Sequence, residues 1–201
     1  MLVKHNNNSI SNLTSAGQLA QGKMTLISSQ TASGSASISF TTGIDSTYPI
    51  YRFEFINCNP SSDGINFTFN LSTDGGSNYN VTKTSTFFET YHDEANTATS
   101  LNYKTSTDLA QSTAYQPLSA PQGNGADEGL SGYLHLFNPS STTFVKHFIA
   151  RISSYNSANY AGEQNIAGYG NTTSSINAVD FKFASGNIDS GTIKLYGIKG
   201  D

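Results

Sequence analysis

The sequence predicts an all-β protein, a jelly-roll-like antiparallel β-sandwich with an extended N-terminal arm. Of the 201 residues, 71 are Ser, Thr or Asn, which favour turns and strand surfaces over helix interiors. Charged residues make up only 12%, about half the usual share of roughly 25%, and this excludes charge-rich long helices. From Lys23 onward apolar residues recur with period two, which is typical of strands with one buried face.

The N-terminal segment, residues 1–22, is predicted to be an arm, and residues 23–201 the sandwich domain. The arm is polar, and its large apolar side chains after the first few residues are Ile10, Leu13 and Leu19, at spacings too irregular for a helix. A terminus of this composition buries too little surface to order itself. We therefore expect these three residues to attach the protein to a neighbouring subunit.

The first half of the chain contains five strand candidates, at residues 24–27, 38–40, 50–56, 65–71 and 79–88. Between the last two, Asp74-Gly75-Gly76 supplies the positive φ values of a tight hairpin turn. The next segment, 91–129, is too long to be one structureless loop in a compact domain. It is predicted to contain one or two short strands, around 101–104 and 115–118.

The second half shows four further strand candidates, at residues 133–137, 144–152, 179–183 and 193–198. A stretch rich in Asn, Ser, Ala and Gly, residues 155–170, is predicted to be a long loop. Eight or more short antiparallel strands with one buried face need a second sheet to cover them. A sandwich of jelly-roll type is the architecture that this pattern favours.

One turn motif occurs twice, as Asn-Pro-Ser-Ser at 59–62 and again at 138–141. Proline fixes its own φ and pushes the preceding residue into an extended conformation, so each motif is predicted to join two antiparallel strands. Two interpretations remain open. The motif is either a common turn used twice, or the trace of a duplicated sandwich with equivalent hairpins.

Charge and cysteine content exclude several classes of protein. The net charge is −4 and the ten Lys and Arg residues are scattered, whereas binding to a phosphate backbone needs clustered cations. A single cysteine, Cys58, allows no internal disulfide. No apolar run approaches the roughly 18 residues of a membrane span, and the N-terminus lacks the apolar core of a signal peptide. We expect synthesis in a cytoplasm, with neither nucleic acid nor membrane as partner.

The sequence contains no catalytic motif. It lacks a phosphate-binding Gly-Lys-Ser/Thr loop and a Gly-x-Ser-x-Gly elbow. Three acidic or histidine groups remain: the pair His135 and His147, the segment 91–94 and the pair Asp127-Glu128. None has the spacing of a metal site, so hydrogen-bonded or solvated side chains are the favoured interpretation. No cofactor, metal or catalytic residue is predicted.

The predicted loop carries three tyrosines, Tyr155, Tyr160 and Tyr169, which are the candidate binding residues. Exposed aromatic rings among amides stack on sugars or form adaptable contacts with protein partners. Both a glycan contact and a subunit contact therefore remain open. The absence of tryptophan weakens the sugar interpretation.

The last third of the chain contains three distinctive motifs, at 137–148 (FNPSSTTFVKHF), 167–174 (AGYGNTTS) and 181–198 (FKFASGNIDSGTIKLYGI). They resemble a family of structural proteins of tailed bacteriophages that is common in marine phages. The opening, 1–10 (MLVKHNNNSI), and the middle, 74–82 (DGGSNYNVT), are similar to the same family. The resemblance therefore spans essentially the whole chain.

The resemblance implies a non-enzymatic virion component on the particle surface, either a head decoration or a fibre protein. Its partners would be other phage virion proteins and further copies of itself. A homotrimer is the expected assembly, because trimeric β-rich modules suit both fibres and threefold positions. One alternative is a tail adhesin that binds host surface glycan. A polysaccharide-degrading enzyme would need a pair of carboxylates in one cleft.

Overall fold

The computed structural model describes residues 24–199, and every regular element in this range is a strand. The first six strands are β1 (Met24–Ser35), β2 (Ile38–Phe40), β3 (Ile50–Pro60), β4 (Phe67–Ser72), β5 (Lys83–Asp93) and β6 (Thr99–Tyr103). The others are β7 (Gln116–Pro117), β8 (Leu130–Phe137), β9 (Lys146–Tyr155), β10 (Tyr160–Gly170), β11 (Ala178–Phe183) and β12 (Ile188–Ile198). No helix in this range is long and apolar enough to cross a bilayer.

The strands form two antiparallel sheets. The large sheet has eight strands in the order β1-β12-β3-β8-β9-β10-β5-β6, and the small sheet has four in the order β2-β11-β4-β7. The sheets pack face to face, and this confirms the predicted jelly-roll-like β-sandwich. The predicted arm, with Ile10, Leu13 and Leu19, lies outside the described residues.

Aromatic side chains from both sheets fill the core. Strand β3 turns Tyr51, Phe53 and Phe55 inward, and all three are buried. From the small sheet, Phe181 lies with its ring centroid 5.0 Å from that of Phe53 and 5.1 Å from that of Phe55. Alternation along β3 thus supplies one wall of the core, as the period-two pattern predicts.

Strand β4 departs from simple alternation, because all six of its residues are buried. Its outward side chains are polar and hydrogen-bond to backbone of the neighbouring strand β11 or of the connections that cover them. Thr68 donates to the carbonyl of Lys182 at 2.8 Å, and Asn70 donates to the carbonyls of Tyr79 and Thr113. The connections around residues 79 and 113 therefore cover the outer face of this strand.

The glycine-rich turn after β4 forms, but the predicted hairpin does not. Gly75 and Gly76 have φ values of 74° and 91°, which matches the requirement of a tight turn for glycine. The next strand, β5, begins at Lys83 and joins the large sheet instead of pairing with β4. A turn sequence fixes the local reversal of the chain, whereas packing decides which sheet the following strand enters.

The two Asn-Pro motifs have different structures. The second, at 138–141, begins the connection between β8 and β9, which pair as a hairpin. The first ends β3, and the chain then crosses to β4 in the other sheet. The backbones also differ. In the second motif the asparagine itself, Asn138, has a positive φ, whereas near the first motif the residue with a positive φ is Asn57, two positions before the motif begins. The prediction that each motif joins two antiparallel strands is therefore confirmed for the second motif and wrong for the first, and the alternative of a duplicated sandwich with equivalent hairpins is wrong.

The prediction of a long loop at 155–170 is also wrong, because Tyr160–Gly170 forms strand β10 between β9 and β5. Glycines occupy several inward positions of β10, so the sequence lacks the alternation of apolar and polar residues that would predict a strand. At Gly168, an added Cβ would lie 2.6 Å from Cζ of Phe148 and 2.6 Å from the carbonyl oxygen of Thr84. Close approach of the neighbouring strands therefore requires glycine where alternation would place an apolar side chain.

Of the one or two short strands predicted in the segment 91–129, two are present. They are β6 and β7. β6 forms an edge of the large sheet beside β5, and β7 pairs with β4 in the small sheet.

Candidate functional site

A polar cleft of about 890 Å³ lies at one end of the sandwich. It is bounded by the end of β5, the β9–β10 hairpin, the end of β3 and the loop before β8. Its principal lining side chains are Asn57, Asn59, His92, Asp93, Glu94, Asp127, Glu128, Ser131, Ser153, Tyr155 and Ser190. We call this site the end cleft.

Four carboxylates from two separate segments line the end cleft. Asp93 ends β5 and Glu94 follows it, whereas Asp127 and Glu128 come from the loop before β8. The sequence marks both segments, but nothing in their spacing indicates that they converge. Their juxtaposition makes the cleft strongly acidic and gives it many hydrogen-bond acceptors for ligand hydroxyl groups.

Asn59 holds the acidic loop against β3. Its side-chain amide donates to the carbonyls of Gly125 and Glu128, at 3.0 and 2.8 Å. Within the loop, the backbone N–H of Gly125 donates to the Glu128 carboxylate at 2.6 Å. The first Asn-Pro motif therefore positions the cleft rather than forming a hairpin, a role that the sequence did not indicate.

Asp93 is held by its own turn. Its carboxylate accepts hydrogen bonds from the backbone N–H groups of Thr97 and Ala98, both at 2.8 Å, and from the Thr97 hydroxyl. These bonds, the Thr97 side chain first, lower the pKa of Asp93. The Asp93 carboxylate is thus ionised and held in one orientation, and its hydrogen bonds close the turn after β5.

Tyr155 is the predicted binding residue that lines the end cleft. It stands at the end of β9, and its hydroxyl lies 3.4 Å from Oδ1 of Asn159. Desolvation raises the pKa of Tyr155, and the Glu94 carboxylate adds to the effect. A partly covered ring beside carboxylates offers both a stacking surface and polar partners to a sugar.

The other two tyrosines have different surroundings. Tyr160 stacks on Tyr91 with ring centroids 4.8 Å apart and an interplanar angle of 8°. Tyr169 lies nine residues further along β10, a separation of about 30 Å along an extended strand, and its ring packs on that of His147 at 6.2 Å. The three predicted residues therefore do not form one site.

A shallow apolar groove of about 460 Å³ surrounds Tyr169 on the outer face of the large sheet. Its floor includes Phe137, His147, Ile149 and Ala167. We call it the outer groove. Ile149 is 48% exposed there, so the groove presents an unpaired apolar surface.

The two histidines considered as a metal pair are diagonal neighbours on the outer face, because His135 pairs with Ile149 in the β8–β9 ladder. His135 takes another partner, with its Nε2 lying 3.1 Å from Nη1 of Arg52. Burial, and then the Arg52 charge, lower the pKa of His135. Across residues 24–199, no three His, Cys, Asp or Glu side chains group closely enough to hold a metal ion.

No known family model, curated protein or solved structure matches this chain.

Proposed function

We propose that this chain is a non-enzymatic structural protein of a bacteriophage virion, displayed on the particle surface as a head decoration or fibre. It acts by associating with itself and with other virion proteins. The observation that carries this proposal is the apolar outer groove, together with the exposed apolar side chains on the same face of the large sheet. The sequence resemblance to phage virion proteins supports it independently.

Seven large apolar side chains are exposed on the large sheet, and the strand registers place them on the face opposite the core. They are Met24, Leu26, Ile56, Phe88, Leu101, Tyr103 and Ile149. Single exposed apolar residues are common, and these seven are distributed over β1, β3, β5, β6 and β9, with the ion pairs Arg52–Glu54 and Arg151–Glu163 among them. Ile149 lies in the outer groove, and an exposed apolar groove of this kind favours contact with another protein.

The fold suits assembly after synthesis in a bacterial cytoplasm. Its single cysteine, Cys58, is fully buried, and desolvation raises the pKa of its thiol to about 12. The thiol therefore stays protonated and inert at neutral pH. A sandwich that needs no disulfide can fold before it reaches the particle, and we propose that it does so as a homotrimer.

Attachment to the particle is assigned to the arm. Because the described sandwich begins at Met24, deletion of residues 1–21 should leave its melting temperature nearly unchanged. The same deletion should abolish incorporation when particles are assembled with the truncated protein. Undiminished incorporation of a folded truncation would overturn the role of the arm.

Immunogold labelling of intact virions tests the location. Dense label over the head would identify a head decoration or head fibre, whereas label confined to the tail would identify a tail fibre or adhesin. Absence of label from purified, intact particles that have been shown to be accessible to antibody would refute the proposal.

A carbohydrate-binding tail adhesin is the second candidate, and the end cleft is the observation that favours it. We expect Tyr155→Ala to abolish saturable binding of host surface glycan in the micromolar to millimolar range. Tyr169→Ala, in the outer groove, is the matched control and should leave glycan binding unchanged. Glycan that binds and is shortened would instead indicate the polysaccharide-degrading enzyme, with the cleft carboxylates as its acids.

A further inference from the structure

Lys83 is a fully buried lysine that forms no salt bridge among residues 24–199. Its Nζ donates to Oδ1 of Asn70 at 2.5 Å and to the carbonyl of Val81 at 2.8 Å. Two acceptors match the two N–H groups of a neutral amine. Desolvation lowers the pKa of Lys83 to about 7, so a large fraction of the amine is unprotonated and nucleophilic near neutral pH.

Asn70, the partner, is fully buried on β4 and held in one orientation. Its Nδ2 donates to the carbonyl of Tyr79 at 2.6 Å and to that of Thr113 at 3.0 Å. Its Oδ1 also accepts the backbone N–H of Leu71 at 2.9 Å. A backbone N–H on this oxygen polarises the amide carbonyl and stabilises the negative charge that the oxygen gains when the carbon is attacked.

The amine lies close to the amide carbon. Nζ is 2.5 Å from Oδ1, and a carbonyl bond of about 1.23 Å places Nζ at most about 3.7 Å from Cγ. Reacting atoms in a near-attack arrangement are about 3–3.5 Å apart. The described structure therefore holds a buried nucleophile against a polarised, immobilised electrophile in a site that excludes water.

We propose that Lys83 and Asn70 form an intramolecular isopeptide bond. The lone pair of Nζ attacks Cγ of Asn70, the Cγ–Nδ2 bond breaks, and Nδ2 leaves as ammonia. The proton that Nζ loses is the one that Nδ2 gains, so no oxidant, reductant or further reactant is needed. The product is a secondary amide that joins β4 of the small sheet to β5 of the large sheet.

Asp180 is the carboxylate that the strand register places beside Asn70, and we assign to it the transfer of that proton. It lies directly opposite Asn70 in the β4–β11 ladder, and facing residues of a ladder have Cβ atoms about 4.5–5.5 Å apart. It is buried, and it accepts hydrogen bonds from the Ser39 hydroxyl at 2.5 Å and the Tyr115 hydroxyl at 2.9 Å. These bonds fix the orientation of the Asp180 carboxylate.

The second buried lysine, Lys146, provides a matched control. It pairs with Gly170 on one side of β10 as Lys83 does on the other, and it is also fully buried. Its Nζ donates to the backbone carbonyls of Phe144 and Thr172, at 2.7 and 3.3 Å. Neither carbonyl carries an amide group that can leave as ammonia, so Lys146 forms no such bond.

Intact-mass spectrometry of the full-length folded protein tests the proposal. The wild-type chain should be lighter than its sequence mass by one ammonia, and fragmentation should recover a branched peptide joining residues 70 and 83. Lys83→Met and Asn70→Ala should each restore the sequence mass. Lys146→Met should retain the loss of ammonia, which separates this reaction from general effects of removing a buried lysine.

A wild-type protein that is folded, aged at neutral pH and still at its sequence mass would overturn the proposal whatever the variants do. A gain of about one mass unit from deamidation of Asn70, without a branched peptide, would overturn it as well. Asp180→Asn should slow the appearance of the lighter species by at least tenfold. An unchanged rate would remove Asp180 from the reaction.

Discussion

Single residues at turns and close strand contacts explain much of the local structure. Asp74 closes the turn after β4 by accepting hydrogen bonds from the backbone N–H of Asn78 at 2.9 Å and from its side chain at 2.7 Å, while Ser72 donates to it at 2.7 Å. These bonds, with the Asn78 side chain first, lower the pKa of Asp74 from 3.8 to about 2. The ionised carboxylate is therefore the form that the folded turn prefers.

This preference predicts a pH-dependent effect of Asp74→Asn. Because the folded pKa is lowered, the stabilisation is complete above about pH 4 and is lost as the pH falls from 3.8 toward 2. The difference in melting temperature between wild type and Asp74→Asn should therefore shrink across this window. Asp189→Asn, at an exposed position, is the control, and a difference that is independent of pH would contradict the prediction.

Gly132 illustrates a residue fixed by close approach. An added Cβ would lie 2.3 Å from the backbone oxygen of Arg151, and backbone in the middle of a sheet cannot move aside cheaply. We expect Gly132→Ala to destabilise the protein by about 1–3 kcal/mol, measured by urea unfolding. Ser153→Ala, exposed on the adjacent strand, should change stability by less than about 0.5 kcal/mol; equal effects would argue against the steric explanation.

At the scale of elements, the β9–β10 hairpin contributes side chains to two separate surfaces. Its tip carries Tyr155 in the end cleft and Tyr160 against β5, whereas the far end of β10 carries Tyr169 in the outer groove. The rigidity of the strand keeps these side chains apart. A contribution to binding must therefore be tested at each end separately.

The stack of Tyr160 on Tyr91 is predicted to stabilise the contact between β10 and β5. Tyr160→Ala should lower the free energy of unfolding by about 0.5–1.5 kcal/mol beyond the loss of buried area. In a double-mutant cycle with Tyr91→Ala, the two changes should not be additive. Additive losses in chemical denaturation would show that the stack itself contributes nothing.

At the scale of the whole molecule, the two faces of the large sheet differ in burial. The inner face packs on the small sheet through phenylalanines, while the outer face leaves seven large apolar side chains exposed. A net charge of only −4 opposes self-association weakly. These properties favour a protein whose exposed apolar side chains become buried against other subunits when it assembles.

This predicts that a charge in the outer groove blocks assembly without unfolding the chain. Ile149→Glu should shift the protein from the proposed trimer to a monomer in sedimentation velocity, because burying an unpaired carboxylate at an interface costs several kcal/mol. Ser153→Glu, on the same face of β9 but outside the groove, should leave the trimer intact. A wild type that stays monomeric at high concentration would contradict this assignment.

The sequence by itself determines the class of fold, the majority of the strands and the glycine turn at 74–76. Each depends on local rules: alternation marks a half-buried strand, and positive φ selects glycine. Where inward positions are filled by glycine and glutamine, as along β10, the same rules fail. There the neighbouring strands, and not the residue's own polarity, select the side chain.

Only the tertiary structure decides which sheet each strand joins and which distant residues meet. Asp93 and Asp127 are 34 positions apart and Asn70 and Asp180 are 110 apart, yet the fold brings each pair into one site. Sheet membership depends on how the whole set of apolar faces is buried at once. No local pattern records that outcome, so the end cleft and the buried Lys83–Asn70 pair emerge only when the chain is folded.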